Sequence, residues 1–306
     1  MSDRLATPKA EAAITPPTGQ LRRQAEAEAS RLPPLLVQAK HLASSVILGE
    51  HGRRRAGMGD DFWQYRPVQI GDSRRMIDHR QSAKSDQQFV REREWQIAQT
   101  VHLWVDQGRS MQFSADPNQP TKLDRARILA LAVSILMLRG GERVGLTGGR
   151  LPARRGQTQI MRLAEHFSVE DHSQDYAPPE DRGLHPQSRV VFVSDFLGPS
   201  EALQQALAKA ADRGVQGVLL QILDPSEETF PFEGRTIFEG VSGTLRHETL
   251  KAAALKERYL ARLAERRDML DALCRSAGWQ FGVHHTGENA QTALMWLFHA
   301  LQRGRA

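Results

Sequence analysis

A chain of 306 residues and 34.3 kDa, 40% hydrophobic and 25% charged, has an ordinary globular composition, and 41 basic against 36 acidic side chains leave a formal charge of only +5. At roughly 100 to 200 residues per domain, such a length holds one large domain with accessories or two smaller ones. The single cysteine, Cys274, excludes a disulfide-stapled module and any Cys-based zinc site.

In chain order, residues 1–34 mix Ala, Glu, Arg and Pro, and Pro16-Pro17 and Pro33-Pro34 interrupt any continuous helix, so a loose leader is expected. No basic start followed by an apolar stretch is visible there, and a cytoplasmic, reducing location is expected. Residues 35–98 make a second unit. Leu35, Leu36, Val37, Leu42, Val46, Ile47 and Leu48 recur near the helical period, which predicts an amphipathic helix ending before Gly49 or Gly52 and docking on the main body. From 51 to 83 the chain becomes dense in Gly, Arg and Asp with isolated aromatics, and shows neither helical nor strand periodicity.

Residues 99–306 have a clearer rhythm. Short β-branched runs at 101–105, 143–147, 189–194, 215–223 and 279–285 alternate with helix-periodic stretches at 123–139, 159–167, 200–213, 250–277 and 289–302. This alternation predicts an α/β fold, a mostly parallel central sheet with helices on both faces. An extra edge strand is expected within 148–155, and 224–249 reads as an insertion. The longest apolar run, 128–138, is too short to cross roughly 30 Å of hydrocarbon, so it is read as a buried helix and no transmembrane segment is expected.

Two carboxylates stand where predicted strands end: Asp106 closes VHLWVD and Asp195 closes VVFVSD. In a parallel sheet both emerge at the carboxyl edge, where ligands bind. Ser110, in DQGRSM, and Thr158, in GQTQ, add hydroxyl groups. Oxygen donors of these kinds suit a hard cation such as Mg2+. The same residues serve equally as loop and helix caps.

The succession DQGRSM, GQT, VSDF on an alternating scaffold resembles the metal-ion-dependent adhesion site of a von Willebrand factor A domain, an Asp-x-Ser-x-Ser loop followed by a Thr and an Asp. The resemblance implies Asp106, Ser110, Thr158 and Asp195 as metal ligands and Mg2+ as cofactor. Gly108 stands where that pattern has its first serine, so a water would have to replace one hydroxyl ligand.

The preceding segment resembles the bacterial domain of unknown function 58 family, and the likeness runs from about 41 to 301. Its first element, Gly-x-Gly-x-Glu-Phe, is matched by Gly57, Gly59, Asp61 and Phe62, with Asp61 for the usual Glu. Its second is matched by Arg66, Gly71, Asp72, Arg75, Ile77 and Asp78, with Val68 at the usual tyrosine and His79 at the usual tryptophan. The arginines of this segment either pair internally with its aspartates or form a docking face. Its small basic excess does not call for nucleic acid. Family members are associated with MoxR-type AAA+ ATPases, which implies such an ATPase, with unknown client proteins, as partners.

His284-His285 ends a predicted strand and is read as structural, and no nucleophile elbow or phosphate-binding loop occurs, so no catalytic residue is assigned. The expected function is a non-enzymatic interaction module, an adaptor or assembly factor with a degenerate adhesion site. The alternative is a magnesium-dependent phosphoryl-transfer or hydrolytic enzyme anchored on Asp106 and Asp195.

Overall fold

A computed structural model describes residues 34–47, 62–69, 72–73, 75, 77–84, 87–93, 98–169, 174–234, 236–239, 246–249 and 253–302. The first element is helix α1 (Pro34–Ile47), where the apolar spacing predicts it. A two-stranded antiparallel ribbon follows, β1 (Phe62–Pro67) with β2 (Phe89–Arg93), and the short helix α2 (His79–Ser82) lies between them. The absence of strand periodicity expected over 51–83 is therefore corrected at β1. Its register with β2 shifts between Phe62 and Gln64, and such an irregularity breaks the two-residue alternation that reveals a strand.

The central sheet begins with β3 (Thr100–Val105), helix α3 (Lys122–Arg139), β4 (Arg143–Leu146) and helix α4 (Gln157–Ser168). It continues with β5 (Arg189–Ser194), α5 (Glu201–Asp212), β6 (Gln216–Leu223) and the short α6 (Pro225–Thr229). A hairpin of β7 (Thr236–Glu239) and β8 (Arg246–Thr249) precedes the long helix α7 (Ala253–Ser276), strand β9 (Gln280–His285) and helix α8 (Ala290–Gln302). Five strands pair in the order β4-β3-β5-β6-β9, every pair parallel. The fold is α/β with a parallel sheet at its centre.

Helices cover both faces because alternate side chains of each strand point to opposite sides. Val101, Leu103 and Val105, Val191 and Val193, and Val218, Leu220 and Ile222 pack with α1, α3, α4 and α8. Trp104, Val190, Phe192 and Leu219 pack with α5 and α7 on the other side. Every residue of β5 is buried, the condition for its unbroken RVVFVS composition. Helix α3 is caught between the sheet and α1, which accounts for its apolar residues all round.

The edge strand expected over 148–155 is reduced to one antiparallel bridge, Val144 with Arg154, supported by Leu146 N donating to Leu151 O at 2.9 Å. The return is so tight that a Cβ on Gly145 would lie 2.5 Å from Ala153 N. This reversal carries the chain back toward the amino end of the sheet before α4 begins. Among the described residues, no helix is long and apolar enough to cross a membrane.

Candidate functional site

Strand order reverses at β3, because β4 lies on one side of it and β5 on the other. The carboxyl ends of strands on either side of such a reversal frame a crevice. Asp106 and Asp195 occupy the two positions immediately after β3 and β5, and Asp224 follows β6 in the same way.

Asp106 is buried and fully engaged. Its Oδ1 accepts from Gly108 N at 2.8 Å and Ala177 N at 3.1 Å, and its Oδ2 accepts from Ser194 Oγ at 2.7 Å. Burial pushes this carboxyl up to about 6, against those hydrogen bonds, and the nearby charge of Asp195 adds to the rise. The segment after Asp106 is zipped to a second loop, with Arg109 N donating to Gln174 O at 3.0 Å and Ser110 N to Asp175 O at 3.1 Å. A Cβ on Gly108 would stand 2.6 Å from Asp175 O, so the hydroxyl-bearing residue of the adhesion pattern has no room there.

Asp195, with no exposed surface, accepts from Leu197 N through Oδ1 at 3.0 Å and from Lys122 Nζ through Oδ2 at 2.9 Å. Lys122, the first residue of α3 and 1% exposed, also donates to Glu227 Oε1 at 2.8 Å. Burial alone would lower this ammonium, but Asp195 and Glu227 outweigh it and hold Lys122 above its ordinary value. Glu227 is raised by burial despite the ammonium. Its other oxygen accepts from Asp224 N at 2.8 Å, closing a capping box on α6, while Asp224 accepts from Ser226 N at 2.9 Å. Lys122 thus ties α3 to β5 and α6.

Of the four residues expected to meet, Asp106, Ser110 and Asp195 gather at this edge, and Thr158 does not. Thr158 is exposed in the first turn of α4. Its neighbour Gln159 donates to Val144 O at 2.8 Å, and Val144 pairs with Val101 at the opposite end of β3. At about 3.3 Å per strand residue, Asp106 lies roughly 16 Å away. The tight return after β4 is the reason, since it inverts α4 and brings the other end of that helix to Asp106: Arg127 Nη2 donates to Val169 O at 3.0 Å and Gln107 Oε1 at 3.2 Å.

The donor set does not fit a divalent cation. Both oxygens of Asp106 and both of Asp195 already accept from protein groups, position 108 has no hydroxyl, Thr158 is remote, and an ammonium sits on Asp195. Among the described residues, no group of three or more His, Cys, Asp or Glu side chains is arranged to hold a metal.

Beside Asp195 a cleft of about 1040 Å³ opens. Phe113, Tyr176, Phe230 and Tyr259 contribute apolar walls, Arg258 and Arg262 line it from α7, and Ser110 and Lys122 reach its floor. The Phe230 and Tyr259 rings lie 5.1 Å apart, and burial pushes the Tyr259 hydroxyl up to about 12.

The family profile described as protein of unknown function DUF58 matches residues 64–269. The chain belongs to the DUF58 family. It is similar to uncharacterized proteins of Mycobacterium bovis and Mycobacterium tuberculosis, each 27% identical over 279 residues, covering 85% of this chain and 86% of the relative. Among solved structures it is similar to an aerotolerance-related membrane protein from Bacteroides fragilis, at 15% identity and TM-score 0.40, covering 67% of this chain and 100% of that one. A conserved hypothetical protein, BatB, from Bacteroides thetaiotaomicron is similar at 15% identity and TM-score 0.39, covering 67% and 98%.

In this DUF58 protein part of the signature segment pairs internally. Arg66 forks onto Asp72 with Nη1 and Nη2 each at 2.7 Å from a carboxylate oxygen, and Gln69 N donates to Asp72 Oδ2 at 2.7 Å. The Arg66 guanidinium holds the Asp72 carboxyl down to about 2. Asp78 caps α2, accepting from Gln81 N at 2.9 Å, and Arg75 is exposed. Gly57, Gly59, Asp61 and Gly71, and the side chain of Phe62, lie outside the described residues. His284 is buried and His285 partly so, and both face Glu288, at 3.4 and 3.2 Å.

Sequence reasoning passed over Lys122, Glu227, Ser194, Arg258 and Arg262. Two of these carried a signal. Thr121 with Asp124 marks a helix start, so Lys122 sits at the positive end of the helix dipole, where a cation is disfavoured unless acids surround it. Asp224 and Glu227 have the spacing of a capping box.

Proposed function

We propose that this DUF58 protein is a non-enzymatic interaction module of the von Willebrand factor A type, a cytoplasmic adaptor or assembly factor working with a MoxR-type AAA+ ATPase. The observation that supports a docking role is the cleft at the strand-order reversal. It combines an apolar wall of Phe113, Phe230 and Tyr259 with exposed arginines at its margin, an arrangement of aromatic anchors and polar rim common to protein interfaces, in which a few aromatic and arginine side chains carry most of the binding energy. The floor carboxylates Asp195 and Glu227 are tied to Lys122, which makes them parts of a fixed surface. The ATPase partner is what the family implies, and clients are unassigned.

The test is capture of a MoxR-type ATPase by the full chain. Tyr259→Ala, in the cleft wall, is expected to reduce capture at least about tenfold, equal to roughly 1.4 kcal/mol. Arg75→Ala, exposed in the signature segment, is expected to leave it intact. Undiminished capture by Tyr259→Ala overturns the assignment of the cleft.

A further inference from the structure

Helix α7 is held unevenly. Leu263, Leu270 and Cys274 are buried, whereas Leu255, Arg258, Tyr259 and Arg262, at the i, i+3, i+4 and i+7 spacing of a single helix face, line the cleft. Arg258 and Arg262 are exposed and, among the described residues, have no hydrogen-bond or ion-pair partner. Arginines poised this way are matched by carboxylates.

The floor offers two more unused groups. Ser110 Oγ is buried, 5% exposed as a residue, and has no hydrogen-bond partner among the described residues. Buried hydroxyls are rarely left so. Lys122 carries three N–H donors, of which Asp195 and Glu227 accept two. The third has no acceptor among the described residues, and the Phe113 ring lies with its centroid 5.7 Å from Nζ. A neutral acceptor such as a peptide carbonyl suits this place better than a third anion, because one ammonium already serves two carboxylates.

We infer that the cleft binds an extended polypeptide segment in which an acidic residue neighbours a large apolar one, and that it does so without a metal ion. The acidic side chain meets Arg258 and Arg262, the apolar side chain enters between Phe230, Tyr259 and Phe113, and a backbone carbonyl accepts from Lys122 Nζ and Ser110 Oγ. The inference rests on the cleft being a docking site and adds what docks there. Lys122, donating to Asp195 and Glu227, supplies at this edge the positive charge that a divalent cation would supply.

The experiment is selection of a random-peptide phage library on the intact chain in EDTA, followed by fluorescence polarisation with a labelled selected peptide. Enriched peptides are expected to place Asp or Glu within a few residues of Phe, Trp, Leu or Ile, and to bind equally with or without magnesium. The double variant Arg258→Glu with Arg262→Glu, both on the exposed surface and checked for native circular dichroism, is expected to weaken binding at least about tenfold. Enrichment of peptides without acidic residues, no enrichment above background, binding that requires magnesium, or indifference to the double charge reversal would each overturn the inference. Loss of peptide selection with ATPase capture still sensitive to Tyr259→Ala sinks this inference alone. Peptide binding without ATPase capture sinks the ATPase assignment alone.

Discussion

Position 108 shows how much a single residue decides. Its backbone is extended and unstrained, so glycine is present for lack of space, with Asp175 O standing where a side chain would begin. Restoring the serine of the adhesion pattern therefore collides with a backbone carbonyl that is itself hydrogen-bonded to Ser110 N. Gly108→Ser is expected to lower unfolding free energy by about 1–3 kcal/mol in urea titrations, the usual cost of overpacking, with no compensating rise in thermal midpoint on adding magnesium. A variant at least as stable as wild type would show that the Asp175 loop yields. Lys122 has the opposite character, since it is the countercharge for two buried acids. Lys122→Met leaves Asp195 and Glu227 without it, and a loss of about 3–5 kcal/mol is expected by the same measurement. A loss below about 1 kcal/mol would show that the carboxylates do not depend on the ammonium.

Elements were largely legible in the sequence because burial on a regular backbone leaves a period behind. The five strands and the helices between them follow the alternation of β-branched runs with helical spacing, and α1 could be anticipated from Leu36 and Val46, which are buried on its inner face with Ala39 and Ala43. Leu36 is fully buried in the cluster shared with α3, α4 and α8. Leu36→Ala is accordingly expected to cost about 3 kcal/mol in urea unfolding; a cost under about 1 kcal/mol would mean that α1 is dispensable to the core. The elements that escaped are those whose period is cut short. Strand β1 is irregular in register, and the return after β4 replaces a strand by one bridge. That return inverts α4, which is why Thr158, placed by motif order beside the carboxylates, is exposed far from them.

Across the whole molecule, two buried groups pull the pH dependence of stability in opposite directions. Asp106 is raised to about 6 by burial, so the folded state holds its proton more tightly than the unfolded chain, and stability falls as pH rises from about 4 to 6. His284 is lowered to about 4, by burial first and by Arg125 next, with Glu288 and His285 also facing it. Its neutral form is the folded one, so stability falls as pH drops from about 6.5 toward 4. Each shift corresponds to about 3 kcal/mol, and over the shared window they offset. Asp106→Asn is expected to expose the histidine effect, with stability falling more steeply on acidification over that window than in wild type. Urea midpoints measured from pH 4 to 7 test this, and parallel profiles for the two proteins would refute it.

By itself the sequence determined the α/β class, the carboxyl-edge placement of Asp106 and Asp195 and the membership of the signature segment, because each depends on local period or on short motifs that a chain carries wherever it folds. Tertiary structure alone decided which side chains meet there. Lys122, Asp195 and Glu227 are separated by 73 and 105 positions in their pairings with the lysine, yet touch through β5 and α6. Arg258 and Arg262 reach the cleft only because α7 extends past its buried anchor. Contacts at such separation arise from the order of strands and the direction of connections, and a one-dimensional pattern of residue types records neither.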